Sequence, residues 1–175
     1  MEPSIILTGS MGSGKTSVGK ILAARLKYAF KDLDALIVEQ AGKSINQLFS
    51  DEGEVAFRDR ETALLSSLVG HQEMVLSTGG GVVIRESNRT LLRAAGLVVN
   101  LNASVETLVK RLARADDRPL LRGERSLEER IKQIMAEREP FYADADIRID
   151  TTGKTLEDVA AVILEFYAER CSGAL

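Results

Sequence analysis

The chain has 175 residues, a length typical of one domain that buries its own hydrophobic core. Its formal net charge of −3 disfavours a general nucleic-acid-binding surface, since such surfaces are basic, and we expect no nucleic-acid partner. A single cysteine, Cys171, excludes a disulfide within the chain and fits a reducing compartment.

The apolar runs and the N-terminal residues indicate neither a membrane anchor nor a secretory signal. No apolar run approaches the ~18 residues of a transmembrane helix. Residues 1–4 contain no basic segment of the kind that precedes a signal sequence. We therefore expect a cytoplasmic protein with no membrane partner.

Short apolar runs alternate with longer segments of helical spacing along the whole chain. In chain order, we predict a strand at 5–8, a helix at 15–26, a strand at 28–33, and several short helices over 35–68 that break near Gly42 and Gly53. A strand at 74–76, a helix at 88–95, a strand at 97–101 and a helix at 104–115 follow. The last elements are a helix at 126–139, a strand at 147–149 and a helix at 155–170. This alternation predicts an α/β fold with a five-stranded, mostly parallel sheet.

The helix predicted at 126–139 has signals at both of its ends. Ser126 and Glu129 have the spacing of a capping box, in which each residue satisfies a backbone amide of the other. Pro140 is predicted to end the helix, since proline cannot donate the next helical hydrogen bond.

The first predicted helix begins within a glycine-rich loop that matches the phosphate-binding pattern G-x-x-x-x-G-K-[ST] at every fixed position. The loop reads Gly9-Ser10-Met11-Gly12-Ser13-Gly14-Lys15-Thr16, between an apolar strand and a helix. The glycines let the backbone wrap around phosphate oxygens, and the amides at the helix N-terminus face the anion. Lys15 is predicted to reach the β- and γ-phosphates and Thr16 to bind Mg²⁺.

The remainder of the chain disfavours two other classes of nucleotide-binding protein. A Ras-type GTPase needs an Asn-Lys-x-Asp motif, which this sequence lacks. A large ATPase usually has an apolar strand that ends in aspartate, whereas the third predicted strand here ends in Ser77-Thr78.

Two acidic residues, Asp32 and Asp34, lie two positions apart at the end of the second predicted strand, and we expect both side chains on one face. The carboxyl ends of parallel strands form the ligand crevice of such a sheet. One carboxylate could order the waters of a metal ion, while the other accepts a hydrogen bond from a hydroxyl group. A solvated turn is the alternative interpretation.

Glu54, Arg58 and Glu61 recur at i, i+4 and i+7 and therefore lie on one face of a predicted helix. A surface strip of ion pairs is one interpretation. The other is that the glutamates hold Arg58 towards a substrate carboxylate, which a guanidinium binds with two parallel hydrogen bonds. Arg138 is a second candidate for the same carboxylate.

Two further loops are candidate parts of the site. Gly79-Gly80-Gly81 follows the third strand and would let a ligand approach bare backbone. The polar stretch 116–125 is the candidate for a mobile lid, and Arg118 within it could stabilise charge on a transferring phosphoryl group.

Taken together, these residues resemble the shikimate kinases, within the nucleoside-monophosphate-kinase-like group of P-loop folds. The matching segments, in chain order, are 9–16, Asp32-Leu33-Asp34, Gly53-Glu54, Phe57-Arg58, Glu61, Gly79-Gly80-Gly81, Arg118-Pro119-Leu120-Leu121, and Arg138 with Tyr142.

The resemblance implies one domain over 1–175 with a three-layer P-loop kinase fold, an acceptor-binding region over about 33–61 and a mobile lid over about 112–126. It implies the transfer of the γ-phosphate of ATP to the 3-hydroxyl of shikimate, a step towards chorismate and the aromatic amino acids. A monomer is the default state for this resemblance. The alternatives are a kinase for gluconate or aminoshikimate and a non-catalytic nucleotide-binding regulator, although a regulator would be expected to lack Lys15, Asp34 or Arg118.

The resemblance also assigns roles to individual residues. Shikimate would be held by Asp34, Arg58, Gly80, Gly81 and Arg138, with Arg58 and Arg138 on its carboxylate and Asp34 on its ring hydroxyls. ATP would be held by Gly12, Ser13, Gly14, Lys15, Thr16, Ser17, Arg111 and Arg118, with Arg111 beside the adenine. Lys15, Asp34 and Arg118 would be the catalytic residues. Mg²⁺ would be held by Thr16 directly and by Asp32 through water.

Overall fold

The computed structural model describes residues 2–113 and 126–173. Arg118 and most of the predicted lid over 112–126 lie outside those residues. The described elements are, in order, β1 (Ser4–Gly9), α1 (Lys15–Leu26), β2 (Ala29–Asp32), α2 (Leu33–Ala41), α3 (Ile45–Leu68), β3 (Met74–Ser77), a 3₁₀ helix (Val82–Ile84), α4 (Glu86–Ala95), β4 (Gly96–Asn102), α5 (Val105–Leu112), α6 (Leu127–Tyr142), β5 (Ile147–Asp150) and α7 (Leu156–Ser172).

The five strands form one sheet in the order β2-β3-β1-β4-β5, and every neighbouring pair is parallel. This confirms the predicted α/β class and strand count. The chain fills one side of β1 with β3 and β2 before it continues with β4 and β5 on the other side. The reversal of order at β1 opens a crevice at the carboxyl ends of β1 and β3, which is where ligands bind in open parallel sheets.

Helices cover both faces of the sheet and give the predicted three layers. Ile5 and Leu7 of β1 pack in one apolar cluster with side chains from α1 and α7, while Ile6 packs in another with side chains from α3, α4 and α6. Successive residues of a strand point to opposite faces, so a continuous apolar run serves both clusters. This two-sided burial holds the crevice-forming end of β1 rigidly in place.

The structure corrects the predicted end of the helix that carries Arg138. Ser126 and Glu129 form the expected capping box, but α6 continues through Pro140 to Tyr142. A proline this close to the last turn removes a single hydrogen bond, so its cost is small enough for tertiary contacts to offset. Tyr142 supplies such a contact, because it is buried and its hydroxyl donates to the carbonyl of Gly80.

The structure also corrects one predicted boundary near the site. β2 ends at Asp32, so Asp34 lies in the first turn of α2 and not on a strand face. The break predicted near Gly53 is confirmed, because α3 is kinked there by the non-helical backbone of Gly53, whose φ is 83° and ψ is 171°. Among the described residues no helix combines the length and the apolar character needed to cross a membrane.

Candidate active site

A cavity of about 930 Å³ occupies the crevice at the carboxyl ends of β1, β2 and β3. The residues predicted for the nucleotide and those predicted for the acceptor meet in its wall. From the predictions, the cavity is lined by Gly12, Gly14, Lys15, Thr16, Ser17, Asp32, Asp34, Gly80 and Arg111. Ser13, Arg58, Gly81 and Arg138 are buried or pack just behind that wall.

The phosphate-binding loop over 9–16 depends on its glycines for both backbone shape and space. Gly9, Gly12 and Gly14 have φ values of 136°, 77° and 96°, a region that favours glycine. A Cβ at Gly9 would also lie 2.0 Å from the carbonyl oxygen of Leu101 on the neighbouring strand. The loop is therefore fixed against the sheet directly before α1, whose N-terminus favours an anion.

Lys15 lies across the loop that precedes it. Its Nζ donates to the carbonyl oxygens of Gly9 and Ser10, each at 2.8 Å. These bonds place the ammonium group over the loop and inside the cavity, beside the positions where phosphate oxygens would bind.

Thr16 and Asp32 bring oxygen atoms together at the predicted metal position. Thr16 Oγ1 donates to Asp32 Oδ2 at 2.9 Å and lies 3.3 Å from Ser77 Oγ. No group of three or more His, Cys, Asp or Glu side chains suited to a metal occurs in the described parts of the chain. The hydroxyl of Thr16 and the carboxylate of Asp32 suit Mg²⁺, which in kinases binds through one or two protein oxygens and takes its other ligands from phosphates and water.

Asp32 has a structural role that the sequence did not reveal. Its Oδ1 accepts a hydrogen bond from the backbone amide of Ala35 at 3.2 Å and so caps α2. The same carboxylate that faces Thr16 therefore fixes the helix whose first turn carries Asp34.

The predicted arrangement of Arg58 between two glutamates is confirmed, and it is not a surface strip. Arg58 is 7% exposed and donates to Glu61 Oε2 at 2.9 Å and to Glu54 Oε1 at 3.3 Å. Its Nε is buried without a hydrogen-bond partner. A buried guanidinium held by two carboxylates, with a donor still unsatisfied, is suited to binding an anion.

Glu61 is fully buried at the centre of this charged group. Burial raises the pKa of its carboxyl, and the positive charge of Arg58 partly opposes that rise. The nearby carboxylate of Asp34 raises the same pKa further, while Arg138 lowers it. The pKa of Glu61 therefore depends on the charges of Arg58, Asp34 and Arg138, three of the residues predicted to hold the acceptor.

The space beside the glycine loop Gly79-Gly80-Gly81 is filled by the protein's own side chains. A Cβ at Gly81 would lie 2.2 Å from Arg58 Nη2, one at Gly80 would lie 3.1 Å from Arg138 Nη1, and one at Gly79 would lie 2.7 Å from Asp34 Oδ1. None of the three glycines has a positive φ, so space and not backbone conformation requires them. The predicted close approach is real, but the groups that approach the loop include the candidate substrate-binding side chains themselves.

Arg111 connects the phosphate-binding loop to the end of β5. Its Nη1 donates to the carbonyl oxygen of Gly12 at 3.0 Å and to Thr151 Oγ1 at 3.2 Å. The cavity wall beside it also contains Lys154 and Leu156. Thr151 and Leu156 were missed by sequence reasoning, because neither belongs to a recognisable motif.

Comparison with known proteins gives one consistent relationship. The family model for shikimate kinase matches residues 11–168. A shikimate kinase of Geobacter metallireducens is 55% identical over 95% of this chain and 93% of its own length. That of Geobacter sulfurreducens is 53% identical over 95% of this chain and 91% of its own length.

The solved structures agree with the sequence relationship. Shikimate kinase from Acinetobacter baumannii in complex with shikimate superposes with a TM-score of 0.93 and 38% identity, over 97% of this chain and 95% of that one. A gluconokinase from Sinorhizobium meliloti superposes with a TM-score of 0.70 at 22% identity, which shows a shared fold alone. With a family model that spans most of its length and relatives above half identity, the chain belongs to the shikimate kinase family.

Proposed function

We propose that the protein transfers the γ-phosphate of ATP to the 3-hydroxyl of shikimate and releases ADP and 3-phosphoshikimate. The observation that carries the proposal is the pair of buried arginines, Arg58 and Arg138, against a glycine loop that faces the phosphate-binding loop. The membership in the shikimate kinase family supports the same reaction.

Arg58 and Arg138 are proposed to bind the carboxylate of the acceptor. Both guanidiniums are less than a tenth exposed, and both lie against adjacent glycines of one loop. At such buried positions the attraction between a guanidinium and a carboxylate is stronger than in water. The planar donors also fix the direction in which the acceptor enters, which places its hydroxyl groups towards the phosphates. Gly80 and Gly81 are proposed to complete the pocket.

Asp34 is proposed to accept a hydrogen bond from the hydroxyl that receives the phosphoryl group. It lines the same cavity as Lys15, and its Oδ1 lies close to Gly79. A carboxylate at that point orients the nucleophile and can take its proton as the new bond forms.

Lys15 is proposed to stabilise the charge that spreads over the transferring phosphoryl group. The amides of Gly12, Ser13 and Gly14, with Ser17, would hold the phosphates, and Arg111 would lie beside the adenine. Thr16 would hold Mg²⁺ directly and Asp32 would hold it through water, and the ion would neutralise phosphate charge. The role proposed for Arg118 on the phosphoryl group rests on the sequence, since that residue lies outside the described part of the chain.

We further propose a monomer that acts as one domain in the cytoplasm, with an acceptor-binding region over about 33–61. The single cysteine fits a reducing compartment. The acidic net charge of −3 supports the expectation of no nucleic-acid partner.

Product identification tests the proposed reaction. The protein is incubated with ATP, MgCl₂ and shikimate, and the phosphorylated position is determined by phosphorus and proton NMR. We expect a phosphate on the 3-hydroxyl, with ADP formed in equal amount. Lys15→Met is expected to lower kcat by at least about 10²-fold, since it removes charge from the transition state. If ADP forms together with free inorganic phosphate and shikimate stays unphosphorylated, the proposal is wrong.

A further inference from the structure

The glycine loop at 79–81 is packed between the two guanidiniums that we assign to the acceptor carboxylate. Arg58 Nη2 would contact a Cβ at Gly81, and Arg138 Nη1 would approach one at Gly80. Tyr142, on the same helix as Arg138, donates to the Gly80 carbonyl at 2.8 Å. Both guanidiniums therefore pack against adjacent glycines of this one loop.

The loop continues directly into the 3₁₀ helix Val82–Ile84, whose carbonyl groups are bound by the start of α4. Asn88, fully buried, donates from Nδ2 to the carbonyl oxygen of Val82 at 3.0 Å. Arg89 Nη1 donates to the carbonyl oxygens of Val83 at 2.8 Å and Ile84 at 3.1 Å. Two side chains thus satisfy three successive carbonyl groups of the 3₁₀ helix. These hydrogen bonds hold the 3₁₀ helix, and with it the glycine loop that precedes it, against the start of α4.

Arg89 also contacts the helix that carries Arg138. Its guanidinium carbon lies 4.8 Å from the centroid of the Phe141 ring, and its Nε is 3.7 Å from Asp144 Oδ2. Phe141 follows Arg138 by three residues on α6, so it lies on the neighbouring turn. Arg89 therefore joins the 3₁₀ helix to the last turn of α6.

Arg85 makes the corresponding connection to the helix that carries Arg58. Its Nη1 lies 2.8 Å from Asp59 Oδ1 and donates to Thr62 Oγ1 at 3.2 Å. Thr62 Oγ1 in turn donates to the carbonyl oxygen of Arg58 at 2.9 Å. Arg85 thus reaches the backbone of Arg58 through a single hydroxyl group.

We propose that Arg85 and Arg89 are positioning residues that set the separation of the Arg58 and Arg138 guanidiniums and thereby the affinity for the acceptor's carboxylate. Neither arginine lines the cavity. The inference rests on the proposed function of Arg58 and Arg138 as the carboxylate-binding pair. Its distinctive consequence is that loss of either positioning residue weakens recognition of the charged group while ATP binding is unchanged.

The test compares two ligands that differ in that charge. Shikimate and its methyl ester, which keeps the ring hydroxyls, are titrated calorimetrically into the parent protein, Arg89→Ala and Arg85→Ala. We expect the Kd for shikimate to rise about tenfold in each variant, a loss typical of coupled neighbours. The Kd for the ester and the KM for ATP should change by less than about twofold. Arg89→Lys should recover part of the affinity, since it restores a charged donor for the carbonyl groups without the planar contact on Phe141.

Two nearby arginines provide matched controls. Arg93 binds Asp144 as Arg89 does, but within the described residues it donates no hydrogen bond to Val83 or Ile84. Arg60 lies next to Asp59 on α3 and pairs with Glu52 at 2.8 Å on the surface. Arg93→Ala and Arg60→Ala should leave both Kd values within about twofold of the parent, as expected for exposed ion pairs.

The possible outcomes separate this inference from the function on which it rests. If Arg58→Ala and Arg138→Ala weaken shikimate binding but Arg85→Ala and Arg89→Ala do not, the positioning inference is wrong and the carboxylate pair stands. If Arg58→Ala and Arg138→Ala bind shikimate normally, both are wrong. Equal loss of affinity for shikimate, ester and ATP would identify a general folding defect and overturn the positioning role. Arg85 is partly exposed, so Arg85→Ala keeps the test decisive if Arg89→Ala does not fold.

Discussion

Glu61 shows how much of the site's behaviour depends on one buried carboxyl group. It has no exposed surface, it holds Arg58, and its Oε1 has no hydrogen-bond partner. Its spacing from Arg58 predicted the contact, because i and i+3 side chains meet on a helix. Its complete burial was not predictable, since that depends on the distant segment Gly79-Gly80-Gly81, which packs against the same group.

The raised pKa of Glu61 gives a prediction for stability against pH. Because the folded protein holds the proton more tightly than the unfolded chain, this contribution to stability is fully present below the ordinary value of 4.5 and is lost as the pH rises through the raised pKa. Glu61→Gln cannot ionise, so the unfolding free energy of the variant minus that of the parent should increase as the pH rises from 4.5. Urea unfolding between about pH 4.5 and 8 measures this difference. A difference that stays constant with pH would contradict the account.

The glycine at position 81 gives a prediction for acceptor binding. In Gly81→Ala the new Cβ would lie 2.2 Å from Arg58 Nη2, so the guanidinium must move. We expect the KM for shikimate to rise about tenfold or more while the KM for ATP changes little, because only the carboxylate contact is displaced. Steady-state kinetics with each substrate varied in turn measures both constants. Gly173→Ala is the control, since its Cβ would approach no atom closer than 3.4 Å. Equal changes in both KM values would contradict the proposal that Arg58 binds the acceptor.

At the scale of elements, the sequence predicted helix starts better than helix ends. Ser126 and Glu129 gave the start of α6 correctly, because a capping box is formed by residues only three positions apart. Pro140 gave its end wrongly, since α6 continues to Tyr142, which is held by a distant carbonyl at Gly80. The role of Asp32 as the N-cap of α2 was missed because the strand predicted at 28–33 extended past the true end of β2 at Asp32.

The kink in α3 gives a prediction for stability. Gly53 has φ 83° and ψ 171°, a conformation that is essentially restricted to glycine, and a Cβ there would meet no atom within 4 Å. Gly53→Ala should therefore lower the unfolding free energy by about 1–3 kcal/mol through backbone strain alone. Urea unfolding measures this loss. The exposed neighbour Val55 offers a control, since Val55→Ala should change stability by less than about 1 kcal/mol. A fully stable Gly53→Ala would show that α3 can straighten.

At the scale of the whole molecule, the number and direction of the strands were predictable from alternating apolar and helical segments. The order β2-β3-β1-β4-β5 was not part of that prediction, because periodicity does not determine which strands are neighbours. That order explains why motifs distant in sequence, such as Lys15, Asp34 and Gly80, line one cavity. The predicted role of Arg118 stays a prediction, since the residue lies outside the described chain.

The initial rate of ADP release with Mg·ATP, measured with shikimate, quinate and gluconate as acceptors, distinguishes a shikimate kinase from a kinase for another carboxylate-bearing polyol. The two buried arginines favour a carboxylate in all three, so the comparison isolates recognition of the shikimate ring. We predict strong stimulation by shikimate, with kcat/KM at least about 10²-fold above that for quinate or gluconate. ADP release stimulated equally by all three, or by none, would contradict the claim that this cavity is built for shikimate.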